Sequence, residues 1–205
     1  MQSILLIGGG GHCRSAIDVI ESDGGYAISG IVQPCSDGNE PVLGYPVLGG
    51  DEDIPALLEQ TPLALITVGQ IRTPAVRQWL YDLLRQHGAV LPVIVSPRAH
   101  VSRHALVADG TLVMHGALVN ACARVGVNCI VNSLALIEHD VFIGDHCHVS
   151  TGCRINGGVT VEAGCFIGSG AVLREGVRIG AGSVIGAGRV VDGDVVPGSL
   201  LKVVS

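Results

Sequence analysis

Aromatic and charged side chains are scarce in this sequence. Aromatic residues make up 3% and charged residues 15% of the 205 positions, whereas hydrophobic residues reach 48%. With so few large rings, the core has to be filled by aliphatic side chains, which favours a thin core rich in Val and Ile. The length allows one large domain or two small ones.

Signals for membranes, secretion and nucleic acids are also missing. No apolar run approaches the length that spans a bilayer, and the start MQSILLIGGGGH lacks a basic segment and breaks into glycines. The formal net charge is -6 and no basic cluster occurs. We therefore expect a cytoplasmic protein without membrane insertion and without a nucleic-acid partner.

A strict six-residue period runs from Leu106 to Val195. In all 15 consecutive sixes the second position is Val, Ile or Leu, and the fifth is mostly Gly or another small or polar residue. This period is typical of a parallel β-helix, in which each six forms a short strand and a tight corner. Three sixes make one triangular coil of 18 residues, so the run predicts about five coils whose second-position side chains stack inside.

Three of the seven cysteines occupy the same position in successive 18-residue coils. Cys129, Cys147 and Cys165 are 18 residues apart at the last position of their sixes, and no CxxC motif occurs. The spacing predicts a ladder of small side chains on one side of the prism. Zinc bound by these thiols is the alternative.

The first 95 or so residues alternate between strand and helix patterns, which predicts a small parallel α/β domain. We place the boundary near residue 97, giving a Rossmann-like domain over 1–96 and a β-helix over 97–205. The segment 35–50 is rich in Pro, Gly, Asp and Asn and is predicted to be a loop. The predicted strands are 3–7, 26–32, 63–68 and 89–93, and the predicted helices are 13–22, 51–59 and 75–87. The apolar side of the last helix is predicted to consist of Val76, Leu80, Leu83 and Leu84.

A glycine-rich turn lies between the first strand and the first helix. Gly8 to Gly11 precede His12, and a turn of this kind at a helix N-terminus predicts a phosphate site. The dinucleotide fingerprint GxGxxG is incomplete, because Cys13 occupies the position of its third glycine. A dinucleotide site often has an acidic residue after the second strand, where this chain has Gln33 and Pro34. The pattern favours a Rossmann-like fold but not NAD.

Side chains of the kinds used in catalysis are densest over residues 132–150. A histidine followed by an acid can act as a base near neutral pH, because the carboxylate fixes the ring tautomer. Neighbouring residues on a strand point in opposite directions, so a contact between His139 and Asp140 requires a corner between them. The cluster comprises Asn132, Glu138, His139, Asp140, Asp145, His146 and His148.

The segment IEHDVFIGDHCHVSTG, preceded by VNS and followed by IGAGSVIGAG, resembles the bacterial sugar acetyltransferases of the hexapeptide-repeat class. The similarity is to the sialic-acid O-acetyltransferase-like group, which includes UDP-4-amino-sugar and GDP-perosamine N-acetyltransferases. These proteins also open with a GxxGH turn. The resemblance implies an N-terminal Rossmann-like domain, a C-terminal left-handed β-helix, acetyl-CoA as co-substrate without a metal, and a homotrimer with active sites between subunits.

The same resemblance implies roles for individual residues. His139 corresponds to the general base, Asp140 to the acid that raises its basicity, and Asn132 to a residue that supports the base at the substrate site. His139 and His148 are half a coil apart and belong on different faces, which a trimer reconciles. The remaining assignments are acetyl-CoA binding by His148, Gly157, Ser169 and Ala187, and sugar-nucleotide binding by Gly10, Gly11, His12 and Gly69.

The implied reaction is direct acetyl transfer to the amine of a nucleotide-linked amino-deoxy sugar, in surface polysaccharide or glycan biosynthesis. In relatives, acidic residues at the positions of Gln33 and Pro34 help to recognise the nucleotide's base. Their replacement leaves the identity of the sugar and of the nucleotide open. The tail Pro197-Gly198-Ser199-Leu200-Leu201-Lys202 also departs from the usual Gly-x-Pro-Ala-Lys.

The alternative functions are O-acetylation of a sialic-acid-like sugar, a non-catalytic nucleotide-binding β-helix protein, or zinc chemistry on His115, His139, His146 and His148.

Overall fold

The computed structural model describes residues 1–34 and 40–202. Part of the predicted loop 35–50 and the last three residues of the tail lie outside the described residues. The described chain forms a parallel sheet with three α-helices, followed by a prism of short parallel strands.

Among the described residues, the N-terminal sheet has four parallel strands in the order β3-β2-β1-β4. Alternate side chains of the central strand are buried on opposite faces: Ile4 and Leu6 pack with the first helix, and Leu5 and Ile7 pack with the other two. Covering on both faces explains why this strand is aliphatic throughout. The strands are β1 Gln2–Ile7, β2 Tyr26–Val32, β3 Val47–Gly49 and β4 Leu63–Ile66.

The helices are α1 Gly11–Asp23, α2 Ile54–Gln60 and α3 Ala75–Gln86, with a 3₁₀ turn over Asp51–Asp53 before α2. Helix α1 begins two residues before the predicted start, so its N-terminus lies inside the glycine-rich turn. It ends at Gly24, whose φ of 69° is the left-handed conformation that glycine adopts readily.

Three local predictions differ from the structure. The predicted strand over 89–93 is reduced to one bridge between Val90 and Leu63, because Pro92 has no N–H to donate. Strand β3 lies in a segment that was predicted to be a loop. On α3, the predicted apolar side included Val76, which is 55% exposed, whereas Arg77 is buried.

Within residues 94–202, the prism consists of 18 two-residue strands, β5 to β22, arranged in three parallel sheets that we call faces 1, 2 and 3. Face 1 contains β5 Ile94–Val95, β8 Leu112–Val113, β11 Ile130–Val131, β14 His148–Val149, β17 Phe166–Ile167, β20 Val184–Ile185 and β22 Leu200–Leu201. Face 2 contains β6 His100–Val101, β9 Leu118–Val119, β12 Leu136–Ile137, β15 Arg154–Ile155, β18 Val172–Leu173 and β21 Val190–Val191. Face 3 contains β7 Leu106–Val107, β10 Arg124–Val125, β13 Phe142–Ile143, β16 Thr160–Val161 and β19 Arg178–Ile179.

Each strand pairs with the strand one coil away, as Val125 pairs with Ile143, and the predicted inward side chains form one continuous core. The prism already begins at β5, ahead of residue 97; the domain boundary itself stays a prediction. At the other end, β22 pairs with β20 only 16 residues earlier (Val184 with Leu200), so the last coil is shorter than 18 residues.

The corners are named here by the faces that they join: 1–2, 2–3 and 3–1. From Gly110 to Gly188, the fifth position of every six turns the corner in the left-handed conformation, usually as glycine. Five successive corners use other residues there, with φ between 52° and 62°. They are Cys122, Asn128, Leu134, Asp140 and His146.

The two domains share a hydrophobic core at face 1. Ile17 and Ile20 of α1 belong to the same buried cluster as Leu112, Met114 and Ile130 of the prism. The N-terminal domain therefore sits on face 1, and the glycine-rich turn at the start of α1 faces this part of the prism. Of the helices in the described ranges, none has both the length and the apolar character needed to cross a bilayer.

Candidate active site

A cavity of about 850 Å³ lies between the glycine-rich turn, the loop after β4 and face 1 of the prism. It joins residues from both domains that are far apart in sequence. Six of the sequence-predicted residues line it: Gly10, Gly11, His12, Gly69, Asn132 and His148.

The glycine-rich turn presents its backbone to this cavity. Gly8 has a φ of 110°, and a Cβ there would lie 2.5 Å from Cγ2 of Val68, so no other residue fits without strain. The Thr67 hydroxyl donates to the Gly8 carbonyl at 2.6 Å. A Cβ at Gly10 or Gly11 would meet nothing within 4 Å among the described residues. Open backbone at the N-terminus of α1 suits a phosphate group.

His148 is held in one tautomer at the bottom of the cavity. Its Nδ1 donates to the carbonyl of Gln70 at 2.8 Å, and its Nε2 accepts from Nδ2 of Asn132 at 3.0 Å. Burial lowers the pKa of His148 to about 4; the Gln70 carbonyl opposes this shift and the charge on Arg77 adds to it. His148 is therefore neutral at pH 7, with both ring nitrogens engaged; its contact with acetyl-CoA stays a prediction.

His12 lies beside His148, with 6.3 Å between the ring centres. Burial lowers the pKa of His12 to about 3; the charge on Arg77 acts in the same direction, as does His148 once it is protonated. Its buried Nε2 has no hydrogen-bond partner within the described ranges. The cavity wall therefore presents two neutral imidazoles rather than cations.

We expect acid to destabilise the fold through these two histidines. Their folded pKa values, about 3 and about 4, lie below the unfolded value of 6.5. Between about pH 6.5 and these values the unfolded chain binds protons that the folded chain does not, so stability falls as the pH falls. Between pH 7.5 and 5.5 the loss should be about 1 kcal/mol for each histidine. Urea unfolding at both pH values measures it, and His12→Asn should remove about half of the difference.

His139 and Asp140 lie at corner 2–3, outside this cavity. The corner separates them, as their contact requires, with Asp140 in the left-handed conformation at a φ of 60°. Nδ1 of His139 donates to Oδ2 of Asp140 at 2.8 Å. Because an ionised carboxylate only accepts, the proton stays on Nδ1 and Nε2 keeps its lone pair. The His139 side chain is 63% exposed, so Nε2 is accessible.

Gly157 lies one coil above His139 and gives its ring room. A Cβ at Gly157 would lie 2.7 Å from Cε1 and 2.8 Å from Nε2 of His139. The ring therefore rests against the backbone of Gly157, with its basic edge toward the glycine. Only the absence of a side chain at 157 permits this position.

Ser169 and Ala187 lie at corner 1–2, above the cavity in the direction of the C-terminus. They continue a column at the fourth position of the sixes, and the two lower members, Ser133 and Thr151, line the cavity. Sequence analysis missed Ser133 and Thr151, although their 18-residue spacing from Ser169 could have revealed them. Face 2 separates this column from His139, so one chain does not place His139 in its own cavity.

The cysteine ladder is confirmed, and the residues of the zinc alternative do not converge within the chain. Cys129, Cys147 and Cys165 are buried in the core, and their thiols donate to carbonyls of the next coil at 3.1–3.3 Å. Residues 1–34 and 40–202 contain no group of three His, Cys, Asp or Glu side chains that could hold a metal ion. His115 is at corner 1–2, His139 at corner 2–3, His146 at corner 3–1 and His148 on face 1.

Comparison with protein families and solved structures agrees with this architecture. Residues 3–83 match the model of the PglD N-terminal domain, and residues 158–193 match the bacterial transferase hexapeptide model (six repeats). No match was found among curated protein sequences. The long run of parallel strands fits a left-handed β-helix.

Several solved structures are similar over nearly the whole chain. A histidine-to-asparagine mutant of perosamine N-acetyltransferase from Caulobacter crescentus, in complex with CoA and GDP-perosamine, is 33% identical. The match covers 99% of this chain and 94% of that one, with a TM-score of 0.92. The acetyltransferase domain of PglB from Neisseria gonorrhoeae, in complex with acetyl coenzyme A, is 28% identical over 98% of this chain and 96% of that one, with a TM-score of 0.90. WeeI from Acinetobacter baumannii is 21% identical over 98% and 96%, with a TM-score of 0.82, and shares the fold.

Proposed function

Because this chain belongs to the hexapeptide-repeat sugar acetyltransferases with a PglD-type N-terminal domain, we propose that it transfers acetyl from acetyl-CoA to the amine of a nucleotide-linked amino sugar. The His139–Asp140 pair carries the proposal: it offers an accessible imidazole Nε2 whose tautomer is fixed by a carboxylate. The cavity with its open glycine backbone supports it as a site for the nucleotide diphosphate.

In the proposed reaction the sugar amine attacks the thioester carbonyl directly. Nε2 of His139 accepts the proton that the amine loses, and Asp140 stabilises the resulting imidazolium. The tetrahedral oxyanion is held by backbone N–H groups of a coil corner. The C–S bond then breaks, the proton passes to the departing thiolate, and CoA leaves. No covalent acyl-enzyme is required, because the thioester is already activated.

A homotrimer with active sites between subunits is part of this proposal. Within one chain, face 2 separates the base at corner 2–3 from the column Ser133, Thr151, Ser169 and Ala187 at corner 1–2. A threefold arrangement of prisms can bring corner 2–3 of one protomer to corner 1–2 of its neighbour. Gly157 would then face acetyl-CoA together with the neighbour's column. Light scattering should give about three times the chain mass of 21.0 kDa.

We propose uridine as the base of the nucleotide. Guanine presents N–H donors that a carboxylate accepts well, but no Asp or Glu is among the described residues that line the cavity. After β2, Pro34 lines the cavity and Gln33 is buried beneath Gly9. The UDP-4-amino sugars are therefore the proposed substrate class, ahead of GDP-linked sugars.

Thiol release from acetyl-CoA tests the function directly. The panel contains UDP-, GDP- and CMP-linked sugars, each with an amino group or with a hydroxyl in its place. The proposal expects thiol release with the UDP-linked amine and little with its hydroxyl counterpart. Turnover only with a CMP-linked or sialic-acid-like hydroxyl sugar would favour O-acetylation, and no turnover combined with nucleotide binding would favour a non-catalytic protein.

A further inference from the structure

Arg77 of α3 is fully buried and joins two distant parts of the chain. Its side chain is 1% exposed. One guanidinium nitrogen donates to the carbonyls of Ile66 and Val68 at 3.3 and 2.7 Å, at the end of β4. The other donates to the carbonyl and to Oδ1 of Asn128 at 2.8 and 2.6 Å, at corner 3–1 of the prism. One side chain thus connects the N-terminal sheet to the β-helix.

Asn128 completes the connection from the prism side. Its Nδ2 donates to the Arg77 carbonyl at 3.0 Å and lies 3.0 Å from Nδ1 of His146. Asn128 has a φ of 52°. At the same corner, the coil below Asn128 has Gly110 and the coil above His146 has Gly164. A side chain in this conformation is tolerated here for the bonds that it makes.

Stability alone does not account for a buried cation at this position. None of the ion pairs within residues 1–34 and 40–202 includes Arg77, so carbonyl and amide oxygens alone compensate its charge. Replacing buried charged groups by apolar residues of similar volume is often neutral or stabilising. The guanidinium, with its several N–H donors, serves a purpose that an apolar side chain cannot: it holds the carbonyls of Ile66 and Val68 at a fixed distance from the carbonyl of Asn128.

The segment that Arg77 holds forms one wall of the cavity. Val68 contacts Gly8, the first residue of the glycine-rich turn, and Thr67 bonds to its carbonyl. Two residues further on, the backbone carbonyl of Gln70 accepts a hydrogen bond from His148. The side-chain Nε2 of Gln70 donates to the carbonyl of Cys165 at 3.3 Å. A shift of residues 66–70 therefore displaces the glycine turn and the wall of face 1 together.

We infer that Arg77 is a positioning residue that fixes the nucleotide-binding loops on the β-helix, with Asn128 as its partner on the prism. The inference rests on the proposed function for the identity of the ligand. Arg77 affects substrate binding indirectly, through the loop after β4 and the glycine-rich turn. Binding of CoA is expected to change much less, because among the proposed CoA residues His148 alone bonds to this segment, whereas Gly157, Ser169 and Ala187 lie elsewhere on the prism.

The first test is hydrogen exchange on the full-length protein without ligand. Asn128→Gly keeps the left-handed corner and the carbonyl that Arg77 binds but removes all three hydrogen bonds of the Asn128 side chain. We expect amide exchange in residues 8–12 and 66–72 to become about tenfold faster, as the loss of one charge-assisted hydrogen bond implies. Cys122→Gly is the matched control: an exposed left-handed corner with a φ of 62° on the far side of the prism.

The second test is calorimetric binding of UDP and, separately, of CoA. Asn128→Gly should weaken UDP binding about tenfold and change CoA binding less than about twofold, and Arg77→Met should do the same more strongly if it folds. A lower melting temperature with unchanged exchange in both segments would overturn the inference and leave Arg77 a purely structural residue. Failure of the wild-type protein to bind UDP would instead count against the proposed function, since the exchange result does not depend on a ligand.

Discussion

Replacing His139 by alanine is expected to lower kcat by about 10²–10⁴-fold, the usual contribution of a general base. Nε2 of His139 is the accessible basic nitrogen, since Nδ1 is committed to Asp140. The side chain is 63% exposed, so the fold and the proposed trimer should survive the change. KM for the nucleotide sugar should change little, because a general base acts mainly in the transition state and His139 does not line the nucleotide cavity.

Initial-rate measurements with the best substrate of the panel test this prediction. Asp140→Asn keeps a residue that tolerates the left-handed corner and can still accept from Nδ1, so its loss of kcat should be smaller than that of His139→Ala. His87→Ala, an exposed histidine at the end of α3, should leave turnover unchanged. Near-full turnover by His139→Ala would show that the base is elsewhere.

The prism could be predicted because its structure is encoded locally. The second position of every six is aliphatic, and each of these side chains, from Val107 to Val191, lies in the core as the period predicts. The repeat extends further than the uninterrupted run because Val95 and Val101 keep the same register. Leu201 breaks that register and still pairs, since the backbone of the last coil is two residues shorter. A fixed period cannot anticipate such a change.

The α/β domain was predictable where the hydrophobic pattern decided the structure. Strand β2 matches its predicted bounds, and β1 and α3 match within one residue. Strand β3 was missed because only three residues pair, and the surrounding Gly and Pro favour a loop. Arg77 was missed because its partners are carbonyls of β4 and a side chain 51 residues away. Helical periodicity treats such a residue as exposed.

For the site, the sequence pattern located the chemical groups but not their grouping. The glycine turn and the histidine–acid pair follow from local motifs. That His12 and His148 share one cavity depends on how the first domain sits on face 1. Their neutrality depends on the same docking, because burial between the two domains dominates both pKa shifts. Such long-range effects are not visible in a single sequence.

Gly157→Ala is expected to lower kcat by about 10²-fold without unfolding the protein, because a misplacement of about 1 Å at a reacting group costs that much. The new methyl group would lie 2.7 Å from Cε1 and 2.8 Å from Nε2 of His139, closer than any real contact. The ring is exposed and can swing outward, so the clash is relieved at little cost in stability but with loss of the position of Nε2. Gly193→Ala is the control, since a Cβ there meets nothing within 4 Å among the described residues.

A double variant separates positioning of the base from a direct role of Gly157 in binding acetyl-CoA. If Gly157 acts only through His139, adding Gly157→Ala to His139→Ala should lower kcat no further, since the group it positions is already gone. If it also lines the acetyl-CoA site, KM for acetyl-CoA should rise in both backgrounds. Wild-type turnover by Gly157→Ala alone would mean that the ring position over the glycine is not the reactive one.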